Sequence, residues 1–389
     1  MDVGGHVERG FEAVREAFVE NFATHGDVGA ACAVYLDGRP VVDLWGGIAD
    51  DRTGASWQEG TLTLVYSTTK GVTAICAHHL AERAGLDLDA TVASYWPEFA
   101  AAGKEQVTVR QLLSHRAGLP TLVPKLDRAE ALAWDPAIRN LAAQEPMWAP
   151  GTTHGYHAVT YGWLVGEVIR RATGRSVGRY LADEIAGPLG LEFWIGLPAS
   201  EEHRMSRLIP APMMKLSVEE LRSIPPEQLE RFKAMADPDS LMQRALNPTA
   251  PTFNYNQPDL HAAELPAANG IGTARALARL YAATIGPVDG IRLLSDATVA
   301  AATVEQSNGA DAVLGLESRF GSGFFLPSLF SPLMGPRSFG HSGAGGSLAL
   351  ADPDSGVGFA YVMNQMQQGL AADPRPASLL SALRSAIDK

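Results

Sequence analysis

Apolar residues recur at Val7, Phe11, Val14, Phe18 and Phe22, one stripe of an amphipathic helix that Gly26 would end. The pattern then changes. Two short apolar runs, residues 30–36 and 41–47, flank Asp37-Gly38, so two antiparallel strands joined by a hairpin are expected. Residues 71–83 read as a helix with Gly85 as its stop. Residues 107–120 read as another, capped by Thr108 and stopped at Gly118. The Pro150-Gly151 turn delivers Tyr156 to the start of a helix through Tyr161, Leu164, Val165, Val168 and Ile169. Asn269-Gly270-Ile271-Gly272-Thr273 reads as a turn, with Thr273 capping a helix over 274–284. Strands are expected at 337–341, 347–351 and 357–363, then a final helix carrying Leu379, Leu380, Leu383 and Ile387.

Residues 196–262 break this regularity. They hold nine prolines and Met205, Met213, Met214, Met235 and Met242 among short helical pieces. Proline interrupts regular elements and methionine adapts to irregular apolar surfaces. The stretch reads as an excursion that covers a site, Met213 and Met214 walling a pocket, or equally as a surface insertion.

Composition narrows the function classes. With 389 residues, 46% hydrophobic and 19% charged, the chain has material for a large core. A net charge of -12 argues against nucleic acid or an anionic membrane as partner. The first residues lack a basic region followed by an apolar one, and no apolar run is long enough to span a bilayer. Cys32 and Cys76 sit in apolar surroundings as buried free thiols. A soluble cytoplasmic protein is expected; the oligomeric state is not readable.

Against this background Ser67 and Lys70 stand out. They form an S-x-x-K pair that a helix starting near Ser67 would place on one face, a turn apart. Backbone N–H groups in a first helical turn have no intrahelical partner. Lys70 also precedes an apolar helix, where burial would lower its pKa toward a range useful for a base. Taken alone, a capping serine and a snorkelling lysine describe the pair as well.

Two further segments change the weighing. Ser67-Thr68-Thr69-Lys70, Tyr156-His157-Ala158 and His341-Ser342-Gly343 fall in the order and spacing of the serine β-lactamase and penicillin-recognising family. The flanking segments 112–120, Pro188-Leu189-Gly190-Leu191 and 340–346 are also similar to that family. Within it, the chain resembles the class C β-lactamase-like carboxylesterases, or family VIII esterases, from about residue 28 to 364 and least over 196–262. The resemblance implies a β-lactamase-like α/β fold of the α+β type, an antiparallel sheet flanked by helices plus a mostly helical lobe. Residues 1–66 and 263–389 would form the sheet lobe and 67–195 the helical lobe.

The resemblance also implies the site: a nucleophile Ser67, a base Lys70, a proton-relaying Tyr156 and an oxyanion hole from the N–H groups of Ser67 and Ala344. Beside a Lys70 cation, Tyr156 would ionise more easily and take the Ser67 proton, or Lys70 would take it directly. Tyr161 is a rival for the tyrosine position. Substrate would be bound around Ala158, His341, Ser342 and Gly343. Where β-lactamases usually carry a lysine for the antibiotic's carboxylate, this chain has His341, a weaker and pH-dependent cation. Where they carry an asparagine, it has Ala158. Both changes point to a small-molecule ester with an apolar acyl group of short to medium length. β-Lactamase, amidase, peptidase, acyltransferase or a non-catalytic sensor are the alternatives.

No cofactor or metal is expected. His78-His79 and His154 with His157 lack carboxylates or cysteines at ligand spacing. Gly340-His341-Ser342-Gly343-Ala344 fails as a nucleophile elbow, because its fifth residue is alanine and no strand-turn-helix context surrounds it.

Overall fold

The computed structural model describes residues 3–212, 225–368 and 372–388. The chain begins with strand β1 (Val3–Val7) and helix α1 (Glu12–Thr24). The hairpin β2 (Gly29–Leu36) and β3 (Arg39–Asp50) follows, turning on Asp37 and Gly38 at φ 50° and 77°. Next come α2 (Thr68–Glu82), α3 (Val109–Leu113), α4 (Thr160–Thr173) and α5 (Ala274–Ile285). The chain closes with β4 (Phe339–Ser342), β5 (Leu348–Asp352), β6 (Val357–Met363) and α6 (Pro374–Ile387).

Among the described residues the main sheet has seven antiparallel strands in the order β1-β3-β2-β6-β5-β4, with Ala55–Ser56 added beside β3. Strands from the two ends of the chain meet at β2 and β6, in the register Val34 to Phe359 and Cys32 to Tyr361. β4 is left as an edge. The strand period of two sorts side chains by size. Cys32, Val34, Leu350, Phe359 and Tyr361 join one core with Val14 and Phe18 of α1 and Leu379, Leu380 and Leu383 of α6. Ala33, Ala349, Ala351 and Ala360 face the other core, where α5 lies. That small-residue face brings α5 close: a Cβ on Gly358 would sit 2.5 Å from the Ala278 carbonyl oxygen.

The structure corrects the expectation at four places. Val7 is the last residue of β1, paired with Val42, and Gly10 at φ 100° separates it from α1. Val7 and Phe11 pack against the same core, so strand and helix continued one apolar stripe. The helix expected over 107–120 has its Thr108 cap, in a capping box with Gln111, but ends at Leu113 because His115 takes φ 60°. Gly270–Gly272 is a strand between Thr63–Leu64 and Phe193–Ile195, not a turn. Its glycines serve close packing: a Cβ on Gly272 would lie 2.5 Å from the Glu192 carbonyl oxygen. Finally, residues 153–157 have no regular structure, so Tyr156 precedes α4 by a loop instead of starting it.

The described part of the 196–262 stretch contains the helices Pro226–Ala236, Leu241–Leu246 and Pro258–Ala262. Met213 and Met214 lie outside the described residues. Cys32 and Cys76 are free and buried, and burial pushes both thiols up. Among the described residues no helix is long and apolar enough to cross a membrane.

Candidate active site

The short strand Thr63–Leu64 leads into Tyr66, a non-glycine residue at φ 45°, and Ser67 follows as the N-cap of α2. A left-handed tyrosine stores on the order of 1–3 kcal/mol of backbone strain, so its surroundings must hold it. They do. Val65 N–H donates to the Gly270 carbonyl at 2.9 Å and Gly270 N–H to Thr69 Oγ1 at 2.8 Å. The Tyr66 ring packs on Tyr255 with centroids 4.7 Å apart.

Lys70 is fully buried. Its Nζ lies 3.0 Å from Ser67 Oγ, 2.6 Å from the Ala158 carbonyl and 3.0 Å from the Ala267 carbonyl. Among the described residues no carboxylate lies within ion-pair distance of it. Burial therefore holds the ammonium well below the ordinary lysine range. A neutral amine fits the three neighbours: two N–H bonds for the two carbonyls, and a lone pair for the Ser67 hydroxyl.

Tyr156 is buried with its phenol against the Ser67 side chain, and Lys70 Nζ lies 4.7 Å from its ring centroid. The expectation that Tyr156 would ionise easily is overturned. Burial pushes its pKa up, the Ser67 contact opposes this, and the Asp311 carboxylate adds to it. Tyr161 lies inside α4 and its hydroxyl reaches the Lys70 carbonyl at 3.5 Å, away from Ser67.

Without a helix around it, the Tyr156 segment is held by three acceptors. Gly155 N–H donates to the His115 carbonyl at 3.1 Å, Tyr156 N–H to Asp311 Oδ1 at 3.0 Å and His157 N–H to His115 Nδ1 at 3.1 Å. His115 is buried among histidines and near Lys70, which keeps it neutral, with Nδ1 free to accept.

The β4–β5 turn closes against the start of α2. Ser347 Oγ donates to the Val65 carbonyl at 2.9 Å and lies 3.0 Å from Thr68 Oγ1. Gly343 is required there, since its Cβ would meet the Val65 oxygen at 2.2 Å. Gly343 N–H bonds to the Ser347 carbonyl, and the Gly345 carbonyl takes Gln367 N–H and the Arg375 guanidinium. Among the described residues neither Ser67 N–H nor Ala344 N–H donates to a protein acceptor. Ser342, beside His341, is half-buried.

His341 is not the weak cation expected from sequence. It is 1% exposed, and burial together with nearby Lys70 holds its pKa well below the ordinary histidine value. Its Nδ1–H donates to the Ser342 carbonyl at 2.7 Å, and Nε2 has no partner among the described residues.

Comparison with known proteins identifies the scaffold that carries this geometry. Residues 14–383 match the beta-lactamase family. The chain belongs to that family. The esterase/beta-lactamase LipL of Mycobacterium tuberculosis is 36% identical over 374 residues, covering 94% of this chain and 83% of LipL. The solved structure of a family VIII carboxylesterase is similar with a TM-score of 0.86 at 39% identity, covering 99% of this chain and 100% of that one. A penicillin-binding protein homolog from Caulobacter crescentus gives 0.85 at 39% identity, with the same coverage.

Within this family scaffold, one side of Tyr156 is apolar. Tyr156, Ala158, Val313, Phe320 and Phe325 form one cluster, joined by Leu241, Ala245 and Leu246 from the 196–262 stretch. A separate cavity of about 500 Å³ opens beside the β4–β5 turn. Ser342, Gly343, Phe330 and Leu380 line it, whereas Ser67, Lys70 and Tyr156 do not. Sequence reasoning missed Asp311, His115 and Arg375. His115 lay in a segment already noted for its family likeness; nothing local marked the other two.

Proposed function

We propose that the protein is a serine carboxylesterase that cleaves small-molecule esters of short to medium acyl chain through an acyl-Ser67 intermediate. The observation that carries this reading is a buried Lys70, 3.0 Å from Ser67 Oγ and with no carboxylate at ion-pair distance among the described residues. Neutral Lys70 takes the Ser67 proton, and Ser67 Oγ attacks the ester carbonyl. Ser67 N–H and Ala344 N–H hold the oxyanion; a donor of this kind typically contributes about 3 kcal/mol. Tyr156, protonated because it is buried, gives its proton to the leaving alkoxide and regains one from Lys70. Water then enters, loses a proton to the same pair and releases the acid.

The substrate preference follows from what is absent around these groups. A neutral His341 cannot attract a carboxylate, and Ala158 offers no side-chain amide. Leu241, Ala245 and Leu246 supply an apolar wall for the acyl chain. The esterase names of LipL and the family VIII structure support the same chemistry. The net charge of -12 argues against nucleic acid or an anionic membrane as a partner of this enzyme.

An active-site-directed phosphonate is expected to label Ser67, and Ser67→Ala to abolish p-nitrophenyl ester turnover. Near-normal turnover in that variant would overturn the assignment, and absence of labelling would favour a non-catalytic sensor. A second reading, β-lactam hydrolysis, is favoured by the double name of LipL and by the penicillin-binding homolog. A chromogenic cephalosporin beside an ester panel separates the two, since a β-lactamase would prefer it by orders of magnitude.

A further inference from the structure

The side chain of Asp311 is wholly buried, and its one cationic candidate within 4.0 Å among the described residues is His154. Burial holds His154 below its ordinary pKa, although Asp311 pulls the other way. The carboxylate is instead satisfied by hydrogen bonds. Oδ1 accepts from Tyr156 N–H at 3.0 Å, Val313 N–H at 2.9 Å and Leu314 N–H at 2.9 Å. Oδ2 accepts from Ser318 Oγ at 3.0 Å, which in turn lies 2.9 Å from His154 Nε2.

The geometry assigns Asp311 as a positioning residue for Tyr156. It ties the backbone of Tyr156, which no helix or strand holds, to the 311–318 segment. Its effect is exerted through where the phenol stands, so it should matter only for steps that use the phenol. Those steps are defined by the reading that Tyr156 protonates the leaving alkoxide, on which this inference rests. An alkoxide such as ethoxide needs that proton as it departs, whereas p-nitrophenolate leaves without it.

The test compares kcat/KM for ethyl butyrate and p-nitrophenyl butyrate in the full-length protein, because that ratio reports acylation alone. Asp311→Ala is expected to lower kcat/KM for the ethyl ester by about 100-fold, the scale of a lost general acid, and for the p-nitrophenyl ester by less than about 5-fold. Tyr156→Phe should show the same selectivity. Asp311→Asn, which keeps an acceptor for the three N–H groups, should restore the wild-type ratio. Equal losses on both esters would overturn the inference, as a general structural defect predicts them. So would an altered ratio in Asp311→Asn, which would move the effect from hydrogen bonding to charge. If Asp311→Ala does not fold, Asp311→Ser, able to serve at most one of the N–H groups, is judged by the same criterion. Phosphonate labelling of wild-type Ser67 keeps the two claims apart: if it fails, the esterase reading falls, and if it succeeds while selectivity is absent, only the Asp311 role falls.

Discussion

Two irregular segments complete the site, and they are held in opposite ways. Around Tyr156 the chain spends its donors: three consecutive N–H groups go to His115 and Asp311. In the β4–β5 turn it spends its acceptors: the Gly345 carbonyl goes to Arg375 and Gln367, while Ala344 N–H meets no acceptor among the described residues. The difference matches what each segment offers a substrate. With its backbone donors used up, the first can act only through the Tyr156 side chain. The second presents an N–H with no acceptor among the described residues, so its side chain at 344 can be as plain as alanine. The anchors differ in kind for the same reason, since N–H groups need a lone-pair partner and carbonyls need a donor.

The largest effect should come from the side-chain segment. Tyr156→Phe leaves every backbone contact in place and removes only the phenol proton. A fall in kcat/KM for alkyl esters of about 10²- to 10⁴-fold is expected, with Ser67 still labelled by phosphonate. A variant with normal alkyl-ester turnover would mean that Tyr156 is merely an aromatic wall and that the contrast between the segments is empty.

The turn should respond to its anchor. The Arg375 side chain is fully buried; it bonds to Asp27 at 3.1 Å, to Asp373 at 2.6 Å and to the Gln365 carbonyl at 2.8 Å. Burial lifts Asp27 to about 6 against the pull of Arg375. Arg375→Ala would strand two carboxylates, so a stability loss of about 3–5 kcal/mol in urea unfolding is expected. In the folded fraction kcat should fall with little change in KM, since Gly345 and hence Ala344 N–H lose their backing. Arg375→Lys keeps the charge without the fork and should lie between. Unchanged kcat would detach the turn from the oxyanion.

How far these features were legible in the chain follows from where their information resides. The Ser67 and Lys70 pair is local, fixed by three residues of helical spacing, and it could be read directly. The hairpin, the last three strands and the final helix follow from apolar period and turn residues. Asp311 reaches Tyr156 across 155 positions and through a backbone N–H, which any acceptor can serve, so no residue pattern announces it. The charge of His341 was misjudged because charge depends on burial, and burial is decided by α2, Tyr156 and Phe325 closing over β4. Gly270 and Gly272 were misread because glycine marks close packing as well as turns, and neither takes a positive φ.

Proton traffic gives a test between these extremes. Lys70 is the base only while it is neutral, and burial alone lowers its pKa. Below that folded-state pKa the ammonium predominates, so kcat/KM should fall as pH falls, with a midpoint well under the ordinary lysine value. A carboxylate nearby favours the ammonium and raises the midpoint. Ala158→Asp, placed one residue's reach from Nζ, should move this acid limb up by about 1–3 pH units. An unmoved limb would assign it to some group other than Lys70.

The smallest effect concerns the wall that the 196–262 stretch brings to the Tyr156 side. Leu246 and Leu241 are partly buried and pack against the cluster that contains Tyr156 and Ala158, while the turn side opens on the cavity beside Ser342 and Gly343. If acyl chains lie along the apolar wall, Leu246→Ala makes room for longer chains on that side only. Each added methylene that then leaves water contributes about 0.8 kcal/mol, or about a fourfold gain in kcat/KM. The hexanoate-to-butyrate ratio with p-nitrophenyl esters should therefore rise several-fold while phosphonate labelling of Ser67 keeps its rate. Should Leu380→Ala change that ratio and Leu246→Ala leave it alone, the acyl chain belongs in the cavity beside the turn, and the two sides of the site exchange their roles toward substrate.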